Sequence, residues 1–443
     1  MSLSNMVSTD DVQNPVHNIR LSSVVPARVT GDDKVHELTN MDLAMKLHYI
    51  RGLYFFDSDS VRGLDISQLK TPMFQWLDLY HLTCGRIRRS EKNGRPFIKY
   101  NDSGVRIVEG SCSKTLDEWL GLKDRCLVDD DQLVYCQVVG PDLCFSPLVF
   151  IQFTWFKCGG LSVGLSWAHI LGDAFSASTF INKWGQIMAG HTPLPPPLRN
   201  IPKSEICQFP PTLSEKPFSL KMVEPVGDYW LTANDCKMES HSFHITPKKL
   251  DHILSMTSGL NQATQSQFFE ILAALMWRSL AKVRGESEPR VVTICKNNSH
   301  NRGNEIPSNG QVIGIVKADF KVEKAELLEL TKLIGEKMVD ERNVIEELVE
   351  RKNEKLDFIV YGANLTFVDL EEVDIYGLQL KGKKPVFANY MAAGIGDEGT
   401  VLVLPGPENG KQGNGEGRTI TVILPENQMV GLKNALRKEW GIF

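Results

Sequence analysis

The stretch Leu161-Ser162-Val163-Gly164-Leu165-Ser166-Trp167-Ala168-His169-Ile170-Leu171-Gly172-Asp173-Ala174 changes its period partway along. From Leu161 to Trp167, large apolar residues alternate with Ser162, Gly164 and Ser166, and a two-residue period marks a strand. Beyond Trp167 the spacing becomes helical, at Phe180, Trp184, Ile187 and Met188, and Gly190 stops the run. Upstream, Leu148–Phe156 is also strand-like, and Lys157-Cys158-Gly159-Gly160 supplies a hairpin turn between the two strands. His169 and Asp173 therefore stand where a strand gives way to a helix.

Working outward, the segment 191–225 holds Pro193, Pro195, Pro196, Pro197, Pro202, Pro210, Pro211 and Pro217. Proline resists both helix and central strand, so this span reads as a linker between a domain of residues 1–190 and one of residues 226–443. Past it, Phe268, Leu272, Leu275 and Ser279 line a helix ended by Gly285, and Leu327, Leu330, Ile334 and Met338 mark another. Arg418–Leu424 alternates as a late strand, and Pro405–Gly417 reads as a flexible polar loop whose glycines fit no phosphate-binding spacing. Strands and helices mix throughout, which indicates an α/β class with mixed sheets flanked by helices.

The 443 residues, 42% hydrophobic and 23% charged, suffice for two large cores. A net charge of −5 offers no cationic field for nucleic acid. The nine cysteines are scattered singly with no C-x-x-C pair, which fits a reduced cytosolic setting and argues against a zinc site. His241 and His244 stand close together, but no third ligand follows at metal spacing, so no metal is expected. Met1–Arg20 lacks the apolar stretch of a signal peptide, and no run of about 18 apolar residues predicts a spanning helix. No Gly-x-Ser-x-Gly elbow is present, which disfavours a serine hydrolase.

The chemistry concentrates at one place. His169 alone among ten histidines has an aspartate four residues on. Imidazole titrates near neutral pH and can take a proton from a hydroxyl or amine attacking a thioester. Asp173 would set the local geometry or the tautomer. By pattern alone, a structural histidine and a general base stand side by side. His48 and His81 lie in apolar-rich elements and read as packed or surface residues.

In order and spacing, several short motifs then resemble the BAHD superfamily of plant acyltransferases. They are Leu38-Thr39-Asn40-Met41-Asp42, Cys84-Gly85-Arg86-Ile87, Asn101-Asp102-Ser103-Gly104-Val105, Phe145-Ser146-Pro147-Leu148-Val149, Phe156-Lys157-Cys158-Gly159-Gly160-Leu161 and the His169/Asp173 pair. Arg20–Pro26, Asp42–Tyr49, Leu165–Asp173 and Tyr361–Phe367 are similar to the ECERIFERUM/Glossy-type branch. The resemblance implies two similar chloramphenicol-acetyltransferase-like domains and an interface channel that holds His169. It implies acyl-CoA as a substrate in place of any bound cofactor, with His169 as general base and Asp173 as support in active members. For the branch it implies a role beside a ketoacyl-CoA synthase, the condensing enzyme that elongates long-chain acyl-CoA toward cuticular wax. That places a chain that is cytosolic, and monomeric by itself, at the endoplasmic reticulum surface through a partner.

The chain departs from the catalytic pattern in four ways. The glycine usual after the signature aspartate is Ala174. The family's Asp-Phe-Gly-Trp-Gly segment reads Asp374-Ile375-Tyr376-Gly377-Leu378, with Lys383-Lys384-Pro385 arriving late, which implies a remodelled domain interface. Thr366 and Phe367 fall where channel residues are expected, but Phe367 replaces a tryptophan whose N–H would donate to an oxyanion. Losing one such donor costs roughly a hundred- to a thousand-fold in rate. Where an arginine usually pairs the signature aspartate, only Lys296 is available, and a point charge replaces a bidentate fork poorly. Two readings follow: an accessory of elongation, favoured by the degraded motifs, or an active acyl-CoA-dependent transferase, favoured by the intact His/Asp pair.

Overall fold

A computed structural model describes residues 14–31, 34–121, 132–135, 145–191, 216–224, 236–256, 268–297, 307–352, 356–407 and 417–442. Most of the proline-rich segment, 192–215, and most of the polar loop, 408–416, lie outside the described residues.

The strand Leu161–Ala168 is flanked by Val149–Phe156 and Tyr49–Phe56, antiparallel to both. The expected hairpin turn closes through Phe156 N–H to the Gly160 carbonyl at 2.8 Å. All eight positions of the strand are buried, so its serine and glycine face is not a solvent face. The segment 132–135 lies nearby, held by Gln152 Nε2 donating to the Gln132 carbonyl at 2.8 Å and Arg51 to the Val134 carbonyl at 3.0 Å. These strands form a six-stranded sheet in the order Val16–Val24, Val105–Cys112, Val149–Phe156, Leu161–Ala168, Tyr49–Phe56 and Phe387–Ala393. The helices Ile66–Leu77 and Ala174–Met188 pack together against it. Trp76 stacks on Phe180 with ring centres 4.0 Å apart, and the Trp184 indole donates to the Leu69 carbonyl at 3.2 Å. Both indoles reach a backbone carbonyl, which is what buried tryptophan requires.

A second sheet of seven strands runs Met238–Ile245, Arg418–Pro425, Thr400–Pro405, Thr366–Asp369, Val291–Lys296, Val312–Lys317 and Val339–Asp340. The helix Phe268–Arg284 buries Leu272, Leu275 and Ser279 beside it, and Gly285 follows with φ of 57°. The helix from Leu327 ends at Glu336, so Met338 falls past it, next to the short strand Val339–Asp340. One large apolar core spans the first sheet and reaches one face of the second, and another lies on the second sheet's other face. His241 is buried on its strand while His244, three residues on, is exposed. Residues three apart in a strand face opposite ways, so the two do not converge on a metal.

Two strands run against the domain division read from the sequence. Lys221–Val223, inside the segment read as linker, pairs with Asp357–Ile359. Phe387–Ala393, from the second half of the chain, completes the first sheet by pairing with Tyr49–Phe55. The Tyr54 and Tyr390 hydroxyls meet across that pair at 2.6 Å. From the same strand Asn389 donates to Ser242 at 3.0 Å and accepts from Thr421 at 2.9 Å, tying the first sheet to the second.

A candidate active site at the junction of the two sheets

His169 follows the last residue of its strand, opens a single 3₁₀ turn and is fully buried. Its backbone N–H donates to the His48 carbonyl at 3.0 Å. Its side chain is held by residues distant in the sequence. Nδ1 lies 2.9 Å from Asn309 Oδ1, and Nε2 lies 3.0 Å from the Tyr361 hydroxyl.

The direction of these bonds follows from Asp42. The helix Asn40–Ala44 starts with a capping box in which Thr39 and Asp42 exchange hydrogen bonds, and this fixes the Asp42 carboxylate at the junction. Asn309 Nδ2 donates to Asp42 Oδ1 and to the His169 carbonyl, both at 2.9 Å. Both partners only accept, so they fix which end of the Asn309 amide carries the protons. Its Oδ1 must then accept, and Nδ1 of His169 is the donor. In a neutral ring the lone pair therefore sits on Nε2, facing Tyr361.

The ring is held neutral. Burial lowers the His169 pKa below its usual value, partly opposed by the negative charge of Asp173, by its own backbone, by Asn309 and by Asp42. Burial raises the Tyr361 phenol well above its usual range, so it stays a donor. Its hydroxyl also lies 3.1 Å from Gln311 Oε1, giving one proton two acceptors. A neutral imidazole can share that hydrogen bond with Gln311, whereas an imidazolium would leave it to Gln311 alone.

Behind Tyr361 stands His48, also fully buried. Its Nε2 accepts from the backbone N–H of Val360 at 3.0 Å and of Tyr361 at 3.2 Å. Only an uncharged ring can accept, and burial takes the His48 pKa down to about 3.

Asp173 turns toward its own helix. Its Oδ1 accepts from Ser176 N–H at 3.1 Å and from the Ser176 hydroxyl at 3.3 Å, capping Ala174–Met188. Its own N–H donates to the Ser308 carbonyl at 3.1 Å, one residue from Asn309. Lys296 pairs with Glu270 at 2.6 Å instead of with Asp173, so the expected stand-in for the arginine is used elsewhere. Asp374 docks on the same helix as Asp173: its carbonyl accepts from Ser178 at 2.7 Å and Asn182 at 2.8 Å. Gly377 lies so close that a Cβ there would stand 2.1 Å from Asp374 Oδ2. The degenerate motif thus still joins the second half of the chain to the first.

Thr366 and Phe367 offer nothing to the imidazole. Thr366 Oγ1 accepts from Gly362 N–H at 3.1 Å and donates to the Asn364 carbonyl at 2.9 Å, while Phe367 is buried in the second core. Sequence reading gave Asn309, Gln311, Asp42, Tyr361 and His48 no role in chemistry. Asp42 carried a signal, the Thr39-x-x-Asp42 capping pattern. Asn309 and Gln311 carried none, because only the fold brings them to His169.

Residues 14–438 match the Transferase family. The chain is 42% identical over 430 residues to Protein ECERIFERUM 2 of Arabidopsis thaliana, covering 95% of this chain and 97% of that protein. It is 41% identical over 435 residues to Protein ECERIFERUM 26 of the same plant, covering 96% of each. Among solved structures it is similar to vinorine synthase, with a TM-score of 0.69 and 17% identity, covering 94% of this chain and 96% of that one. That likeness speaks for the fold alone.

Two outcomes test the electrostatics and the cap. His48 titrates near 6.5 when unfolded and near 3 when folded, so the unfolded chain binds the extra proton between those values. Its contribution is therefore intact above pH 6.5 and is lost on acidification at about 1.4 kcal/mol per pH unit. In urea titrations, His48→Gln should be flatter by about that slope between roughly pH 6 and 4, and equal slopes would contradict the assignment. For the cap, Asp173→Ala should cost about 1 kcal/mol in the same assay, and Asp173→Ser, which also caps, should recover most of it.

Proposed function

This chain belongs to the Transferase family, the BAHD-type acyltransferases, and from that premise we propose that it acts as an accessory of fatty acyl elongation rather than as a transferase in its own right. In this reading it binds a ketoacyl-CoA synthase, engages long-chain acyl-CoA, and shifts the products toward the very long chains of cuticular wax. One observation carries the proposal: the imidazole that would be the base is fully buried, and its Nε2 is already met by the Tyr361 hydroxyl at 3.0 Å. A general base needs its acceptor within about 2.6–3.2 Å of that nitrogen, and here a protein group stands there. The absent indole at Phe367 and the diverted Lys296 point the same way.

The kinship with ECERIFERUM 2 and ECERIFERUM 26 supports the wax assignment. No helix among the described residues is long and apolar enough to cross a membrane. The proposal therefore includes attachment at the endoplasmic reticulum through the condensing enzyme.

A second reading has its own support. Asp42 and Asn309 leave the lone pair on Nε2, the tautomer a general base uses. In an active transferase His169 would accept the acceptor's proton while its oxygen or nitrogen attacked the thioester carbonyl. Asp173 would hold the helix start, as its cap geometry allows.

Co-expression with a ketoacyl-CoA synthase in a heterologous host separates the two, with acyl chain lengths as the readout. His169→Ala should leave the longest products unchanged. Their loss, in a variant that accumulates and melts like the wild type, would sink the accessory reading.

A further inference from the structure

We propose that Tyr361 is a built-in plug of the acceptor position, so that this chain carries a general base kept latent by its own phenol. The inference deepens the accessory reading and rests on it for the consequence, though not for the geometry.

A neutral imidazole has one lone pair. Here that pair is on Nε2, because Nδ1 donates to Asn309 Oδ1 at 2.9 Å. A hydroxyl 3.0 Å away occupies it. An acyl acceptor needs the same nitrogen at the same distance with the same donor geometry. The phenol is thus a chemical mimic of the acceptor, supplied by the second half of the chain.

Tyr361 is also mounted so as to stay in place. Its ring packs against two buried imidazoles, with centres 4.9 Å from His48 and 5.4 Å from His169. Its backbone N–H and that of Val360 both donate to His48 Nε2. Its carbonyl accepts from Gly396 N–H at 2.9 Å. The next residue, Gly362, has φ of 83° and approaches Gly396 so closely that a Cβ would stand 2.4 Å from the Gly396 carbonyl oxygen. A buried ring with its flanking backbone pinned at three points is not a mobile side chain. Gln311 Oε1, 3.1 Å from the hydroxyl, offers the phenolic proton an alternative acceptor without moving the ring.

The role is a positioning and blocking one, and a direct chemical probe of the lone pair tests it. Diethyl pyrocarbonate carbethoxylates neutral imidazole nitrogen. The purified full-length chain at pH 7, its Tyr361→Phe and its Tyr361→Ala variants would be labelled in parallel and mapped by peptide mass. The exposed His17 and His252 serve as internal standards. Relative to those standards, His169 should label roughly two- to tenfold faster in both variants than in the wild type, the effect of removing one hydrogen bond. Equal His169 rates in wild type and Tyr361→Phe overturn the proposal, because the Phe variant keeps the ring and removes only the hydroxyl. A gain confined to Tyr361→Ala also overturns it, since it would report space and not the plug. Should the Ala variant lose its fold, seen by circular dichroism, the Phe variant decides alone. The labelling needs no condensing enzyme, so loss of elongation in His169→Ala would sink the accessory reading and leave the plug standing.

Discussion

Two buried imidazoles that must stay uncharged hold the centre of this molecule together. His48 accepts two backbone N–H groups from Val360 and Tyr361, and its carbonyl receives the N–H of His169. His169 in turn reaches Asn309 and Tyr361. Each ring thus belongs to the first half of the chain and finds its partners in the second. Protonating His48 would turn its acceptor nitrogen into a donor facing two other donors. Two fully buried rings leave such repulsion unrelieved, so neutrality is a condition of assembly there as much as of chemistry.

That condition is the physical basis of the accessory reading proposed above. The carboxylate of Asp42, the amide of Asn309, the imidazole and the phenol form one directed series of hydrogen bonds. In such a series every group is satisfied, which favours stability, whereas a working base needs an unsatisfied lone pair exposed to substrate. The signature histidine and aspartate both carry structural duties in this chain. Asp173 caps a helix of fifteen residues, and His169 ties a strand end to the second half of the chain.

Much of the scaffold was legible because it is local. The alternation of Leu161–Trp167, the glycine turn and the helical spacing from Phe180 to Met188 all express short-range geometry, and each lies where it was expected. The family resemblance extended this to the mixed α/β fold, and the likeness to vinorine synthase agrees. What was hidden depends on distance along the chain. His169 meets Asn309 across 140 positions and Tyr361 across 192. Lys296 offered a charge for Asp173, yet Glu270, only 26 positions away in the chain, takes it. Composition likewise marked 191–225 as linker, although Lys221–Val223 forms a strand once Asp357–Ile359 is beside it.

The strand Phe387–Ala393 has a consequence for how the polypeptide is made. It seals the edge of a sheet whose other five strands end by Ala168. Tyr49–Phe56, an almost wholly buried apolar strand, therefore waits unpaired on that side while more than three hundred further residues are translated. An open apolar edge is a template for misassociation, and a pairing of such long reach forms slowly. Biogenesis of this chain thus passes through a nascent stage that invites chaperone protection until the ribosome has nearly finished.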